Sequence, residues 1–193
     1  MCIRDRANPQ PKETALVIGA GPIGLAALEF LRLHDLNIIV MDMVESRLEF
    51  CRDHLGIQHT VVFRADGNHL SELEAITGGE LANIVIDASG SVRSMSSCFE
   101  YAAFTGRVIY VGITTENLSF PHAPVFHRRE LTLLASRNAL PDDFGKIIDL
   151  IAAGEINTDV WITDRLSFGD VPSDFAAFTD TGRGTVKALI EIP

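Results

Sequence analysis

The sequence predicts an α/β fold, a doubly wound parallel sheet of about six strands, and three features carry that prediction. Short apolar runs alternate with stretches of helical periodicity from Thr14 onward. A G-x-G-x-x-G turn (Gly19, Gly21, Gly24) joins the first apolar run to the first helix. An acid, Asp42, closes the second run 18 residues after Gly24.

The first run, Ala15 to Ile18, reads as a strand buried on both faces. Leu25, Leu28, Phe30, Leu31 and Leu33 continue as one face of a helix, and Asn37 to Met41 form the second strand. Each part of this β-α-β unit has a physical task. Gly19 makes the tight turn, Gly21 lets backbone approach a pyrophosphate, and Gly24 permits close helix packing. Pro22 suits a helix start because it has no N–H to leave unpaired. The free N–H groups of the first turn, with the helix dipole, favour phosphate. Asp42 is placed to accept hydrogen bonds from an adenosine ribose and to repel a 2′-phosphate, so NAD rather than NADP is expected.

Ser46 or Asp42 is expected to cap a helix through Leu48, Phe50, Cys51 and Leu55. Arg47, five positions past Asp42, either reaches over the adenosine or is a solvated helix charge. Thr60 to Phe63 is a third strand, and Leu70, Leu73 and Ile76 mark a helix ending near Gly78 and Gly79. Asn83 to Asp87 is a fourth strand, followed by the small-residue turn Ala88-Ser89-Gly90 and a helix through Met95, Phe99 and Tyr101. Gly106 to Gly112 gives a fifth strand and Glu130 to Ala135 a sixth. Phe144 to Ala153 is an amphipathic helix stopped by Gly154. Asp142 and Asp143 read as solvated charges at its start. Ile162 to Phe168 and Val186 to Ile192 look like strands, with a short helix around Phe175, Ala176 and Phe178 between them.

Composition narrows the function classes. The chain has 193 residues, enough for one domain or one domain and part of another. Apolar content of 47% and a mean hydropathy of +0.19 suffice for a core. A net charge of −10, with no basic cluster able to track a phosphate backbone, argues against nucleic acid as a partner. No apolar run has membrane-spanning length and no signal-peptide pattern is seen, so neither a membrane nor export is expected. Three scattered cysteines (Cys2, Cys51, Cys98) without C-x-x-C fit a reducing cytoplasm. Cys51 and His54 read as packing and surface residues, and His59, His69, His122 and His127 have no metal-ligand spacing. No Ser/His/Asp set has triad spacing.

Met1 to Asp5 resembles the translation of a sequencing adapter, a scar that predicts a native protein extending upstream; the other reading is an ordinary polar amino terminus. Residues 1–13 are therefore scar and lead-in, 14–154 the nucleotide domain, and 155–193 a separate segment.

Three motifs carry a family likeness: Val17-Ile18-Gly19-Ala20-Gly21-Pro22-Ile23-Gly24-Leu25, Asp87-Ala88-Ser89-Gly90, and Gly106 to Gly112. Together with Arg129 to Asn138 and the following Asp143-Phe144, they resemble the zinc-type medium-chain alcohol and polyol dehydrogenases. The likeness is greatest to the galactonate, sorbitol and threonine dehydrogenase branch. It implies hydride transfer from a secondary alcohol, a polyol or a sugar acid to NAD. It places Gly19, Gly21, Pro22, Ile23 and Gly24 on the pyrophosphate, Asp42 on the ribose and Arg47 on the adenosine side. Ala88, Ser89 and Gly90 would pass along the cofactor, and Val111, Gly112 and Ile113 would lie under the nicotinamide. Ser136 and Arg137 would sit near its carboxamide. Lys187 would face the pyrophosphate or else be a surface lysine. The resemblance also implies that the zinc ligands lie upstream, with zinc in the full-length protein only. The 155–193 tail would return to an incomplete catalytic domain, the fragment alone would be inactive, and a dimer or tetramer would form through the sixth strand. Two other readings remain open: a stand-alone NAD-binding regulatory module, and an FAD-binding flavoprotein domain.

Overall fold

The computed structural model describes residues 2–179 and 183–193. Six strands form one all-parallel sheet: β1 (Thr14–Ile18), β2 (Asn37–Asp42), β3 (His59–Val62), β4 (Ala82–Asp87), β5 (Ala102–Tyr110) and β6 (Thr132–Ala135). Their order is β3-β2-β1-β4-β5-β6. The chain winds outward from β1 in one direction and then returns to wind outward in the other. The β1–β4 boundary is the switch point where such sheets open a crevice at their carboxyl edge.

The helices follow the same logic. α1 (Cys2–Ala7) precedes the sheet, α2 (Pro22–Leu31) joins β1 to β2, and α3 (Glu45–Leu55) joins β2 to β3. α4 (Asn68–Thr77) joins β3 to β4, and α5 (Val92–Ser97) runs into a 3-10 turn, Cys98–Tyr101, before β5. A π-helical turn, His122–His127, lies between β5 and β6. Residues Cys2–Ala7 thus contribute a helix, and Ala7 at its end is fully buried, which the adapter-like composition did not suggest.

β1 and β4 are apolar and buried on both faces, as a central parallel strand requires. One core cluster packs Leu16, Ile39, Met41, Leu73, Val85 and Val108 with Phe99. The Phe99 ring meets Phe120 at 4.3 Å and stands edge-on to Tyr110 at 6.0 Å. Burying a side chain of this size contributes roughly 2–3 kcal/mol. The β5 entry is irregular: Thr105 has φ of 59°, and the register with β4 slips between Ala82 and Ile84. The Arg129 guanidinium closes this corner, donating to the carbonyls of Glu100 at 2.9 Å and Ala102 at 2.8 Å. The strand therefore begins at Ala102, earlier than the expected Gly106.

α6 (Pro141–Ala152) begins with Asp142 and Asp143. Asp143 is not solvated as expected. It is buried, and its carboxylate accepts the Leu140 N–H at 2.8 Å, which fastens the helix start. The N-cap of α3 is Val44, whose own side chain makes no capping bond; Ser46 supplies none, whereas Asp42 accepts the Val44 N–H at 2.8 Å just ahead of the helix.

Contacts divide the chain between Gly145 and Lys146, inside α6, whereas the sequence reading put the boundary after Gly154. The second unit carries β7 (Ile162–Ser167) and β8 (Lys187–Glu191), paired in parallel, with α7 (Val171–Asp174) between them. Phe168, Phe175, Ile190 and Ile192 are exposed on this unit.

Candidate functional site: the carboxyl edge of the sheet

The glycine turn leaves β1 with Gly19 at φ +97°, a conformation that glycine adopts without strain. Gly21 is the N-cap of α2 and Pro22 its first residue. Leu25 N–H makes the cap bond to the Gly21 carbonyl at 2.9 Å, so the N–H groups of Ile23 and Gly24 precede the helical ladder. No acid stands in the first turn of α2, so nothing there repels a phosphate. A Cβ built on Gly24 would stand 1.8 Å from the Gly19 carbonyl oxygen, so that position admits only glycine. Gly24 thus packs against its own turn as well as the strand below. A Cβ on Gly21, by contrast, would meet nothing within 4 Å. That free space beside unpaired N–H groups is what a pyrophosphate needs.

Asp42 braces this turn. Its Oδ2 accepts the Ala20 N–H at 2.7 Å and its Oδ1 accepts the Val44 N–H at 2.8 Å. Arg47 Nη1 lies 3.6 Å from the same Oδ2, so the structure brings Arg47 to the acid rather than leaving it isolated on its helix. Two backbone donors leave a carboxylate with spare acceptor capacity for ribose hydroxyls.

Ala88, Ser89 and Gly90 leave β4, and Val111, Gly112 and Ile113 leave β5, beside one another. A Cβ on Gly112 would stand 2.4 Å from Gly90 N, so the two turns are in backbone contact. The Val111 and Gly112 N–H groups both donate to the Asp87 carbonyl at 2.9 Å. Ile113 is 75% exposed, an apolar face at the edge of the crevice. Ser136 follows β6 and donates its N–H to the Tyr110 carbonyl at 2.9 Å. Its Oγ is buried and without a hydrogen-bond partner among the described residues, the state of a hydroxyl that a ligand amide would satisfy. Arg137 beside it is exposed. Lys187 lies on β8 in the second unit and is exposed.

Sequence reasoning passed over the side chain of Asp87. It is fully buried at the end of β4, and Ser89 and Ser94 both donate to it. The signal was the acid directly before Ala88-Ser89-Gly90. Its neighbours Cys98 and Tyr110 are pushed above their ordinary pKa values, by burial first, with the Asp87 charge among the further causes. A cleft of about 420 Å³ lies elsewhere, at the opposite edge of the sheet, between Arg32, His34, Asn37, Gly56 and His59; it is separate from the glycine turn.

Comparison with known proteins settles the family. The zinc-binding dehydrogenase pattern matches residues 22–153. The chain belongs to this family. L-galactonate-5-dehydrogenase of Escherichia coli K12 is 34% identical over 185 residues, covering 96% of this chain and 54% of that protein. D-xylulose reductase of Saccharomyces cerevisiae is 26% identical, covering 92% of the chain and 51% of its own length. The chain spans about half the length of the curated relatives it matches. Among solved structures, an alcohol dehydrogenase from Thermus sp. ATN1 superposes with a TM-score of 0.85 at 22% identity, over 98% of this chain and 54% of that one. An alcohol dehydrogenase from E. coli CFT073 complexed with NADH gives 0.83 at 24% identity, with 98% and 54% covered. At these identities the structural likeness shows the fold. The Rossmann-type sheet of this zinc-binding dehydrogenase chain is thus the one its sequence predicted.

A dinucleotide fits the crevice, on the open space at Gly21 and the orphaned Ser136 hydroxyl. Zinc does not fit. Among the described residues, no three His, Cys, Asp or Glu side chains come together to hold a metal ion. No helix among them is long and apolar enough to cross a membrane.

Proposed function

We propose that this chain is the NAD-binding part of an oxidoreductase that moves hydride between NAD and a secondary alcohol, a polyol or a sugar acid. NAD supplies the hydride acceptor when bound. The chain's own residues bind and orient it. Gly19 to Gly24 hold the pyrophosphate, Asp42 takes the ribose hydroxyls and Arg47 covers the adenosine side. Ala88, Ser89, Gly90, Val111, Gly112 and Ile113 form the floor under the nicotinamide half. Ser136 and Arg137 hold its carboxamide. The metal of the family belongs, on this reading, to residues outside these 193. The chain alone is then a cofactor binder without turnover.

One observation carries the reading: the Asp42 carboxylate is tied to the Ala20 N–H at 2.7 Å beside open space at Gly21. An acid held there accepts ribose hydroxyls and opposes a 2′-phosphate. The sugar-acid and polyol substrate class is supported by the relatives named above. The free, buried thiols of Cys51 and Cys98 support a reducing compartment, the cytoplasm. The edge position of β6, with Leu133 exposed, supports a dimer or tetramer formed edge to edge. The test is a fluorescence titration of the chain and its Asp42→Ala variant with NADH. Enhanced nicotinamide emission that weakens in the variant is expected. An identical curve for both proteins would remove Asp42 from the site.

A further inference from the structure

Asp87 is a buried acid without a counter-ion among the described residues. Its side chain is fully excluded from solvent. Buried carboxylates usually have such a partner. Here hydrogen-bond donors take its place. Oδ1 accepts the Ser89 N–H at 3.0 Å and the Ser89 hydroxyl at 2.8 Å. Oδ2 accepts the Ser94 hydroxyl in a short contact. Ser91 N–H in turn donates to Ser89 Oγ at 3.1 Å, so the whole turn after β4 is wound around this carboxyl group. Every partner is a donor, the arrangement an acceptor-only carboxylate takes.

Its position gives that charge a use. The sheet order reverses between β1 and β4, and a dinucleotide crosses the crevice there. With the adenosine half at Asp42 on β2, the nicotinamide half falls over β4 and β5. Gly112 lies directly against the acid, since a Cβ built on it would stand 3.5 Å from Asp87 Oδ1. No side chain of Gly90 or Gly112 thickens the floor between them. The nicotinamide ring is a cation when oxidised and neutral when reduced. A fixed negative charge close beneath it, in a medium less polarisable than water, distinguishes the two.

We propose that the Asp87 carboxylate is a specificity-determining group that makes the crevice favour the cationic, oxidised nicotinamide over the neutral, reduced one. This rests on the reading of the chain as an NAD-binding part. A role limited to holding the turn would affect both redox forms alike, and the test separates the two.

Calorimetric titration of the chain with NAD+ and with benzamide adenine dinucleotide, a neutral isostere of NAD+, reads the charge effect without altering the protein. NAD+ is expected to bind tighter by roughly three- to tenfold. Equal affinity overturns the proposal. Asp87→Asn keeps an acceptor toward Ser89 and removes the charge. Relative to NADH, its NAD+ affinity is expected to fall by roughly three- to tenfold, and Asp87→Glu to restore the ratio. Parallel weakening of both redox forms, with the ratio unchanged, assigns Asp87 to the turn alone and overturns the proposal while leaving the cofactor reading intact. If the unaltered chain binds neither NAD+ nor NADH, both readings fail together.

Discussion

The two turns that wall the crevice are built in opposite ways. The turn after β1 is open and is braced from outside, by an acid on the neighbouring strand β2. Its middle glycine faces empty space. The turn after β4 is closed and is braced from within, by the acid that ends its own strand. Its glycine touches the backbone of the next turn. Both devices use an aspartate at a strand's carboxyl end. They differ in capacity left over: Asp42 is 8% exposed with Arg47 beside it, whereas Asp87 is fully enclosed by donors. A cofactor crevice needs one wall with room and one wall that holds its shape, and here the same residue type provides for each.

The largest effect expected from breaking this contrast is at Gly24. Gly24→Ala forces a methyl 1.8 Å from the Gly19 carbonyl oxygen, backbone against backbone. Urea denaturation should show a loss of about 3 kcal/mol or more, with NADH binding abolished. Gly21→Ala is its counterpart in the open space. It should fold within about 1 kcal/mol of the parent, yet bind NADH at least roughly tenfold more weakly. A variant that binds like the parent would place the pyrophosphate elsewhere.

Asp42→Ala comes next. It strands the Ala20 and Val44 N–H donors and removes the acid facing the ribose. NADH affinity should drop by about tenfold, and the preference over NADPH should disappear. Retained preference in a competition titration would show that another group sets it.

The smallest effect concerns Cys51, whose thiol is pushed up to about 12, chiefly by burial and secondly by the Asp42 charge. Because the folded value lies above the ordinary 9.0, the unfolded chain loses this proton first as pH rises. The stability it contributes is complete below 9.0 and declines toward about 12. Urea midpoints should therefore fall between about pH 8 and about pH 10 by more in the parent than in Cys51→Ala. Equal slopes would mean that the thiol does not titrate with unfolding.

Much of the first wall was legible in the sequence, because its parts are fixed by rules that act over a few residues. A Gly at Gly19, a Pro at Pro22 and an acid closing β2 each answer a local steric or electrostatic demand. The strand runs Ala15 to Ile18 and Asn83 to Asp87 were also readable, since strands buried on both faces are continuously apolar. The second wall was only half readable. Ala88-Ser89-Gly90 marked a turn, but the Asp87 side chain takes its meaning from Ser94 on α5 and Gly112 after β5. Such distant partners leave no periodic trace. Asp143 misled for a related reason: an acid in a first helical turn reads the same whether it faces water or accepts the Leu140 N–H in a buried cap. The division at Gly145 falls inside the continuous α6, where no break in helical pattern signals it. α1 was hidden by a sequence too polar and too short for propensity to reveal.

The measurement that bears most directly on the account is a calorimetric titration of the chain with NADH and with NADPH under identical salt. Asp42, held against the glycine turn, predicts one site for NADH and an affinity for NADPH lower by at least roughly tenfold. Equal affinities, or tighter binding of NADPH, would contradict the role given to that acid and to the crevice built around it.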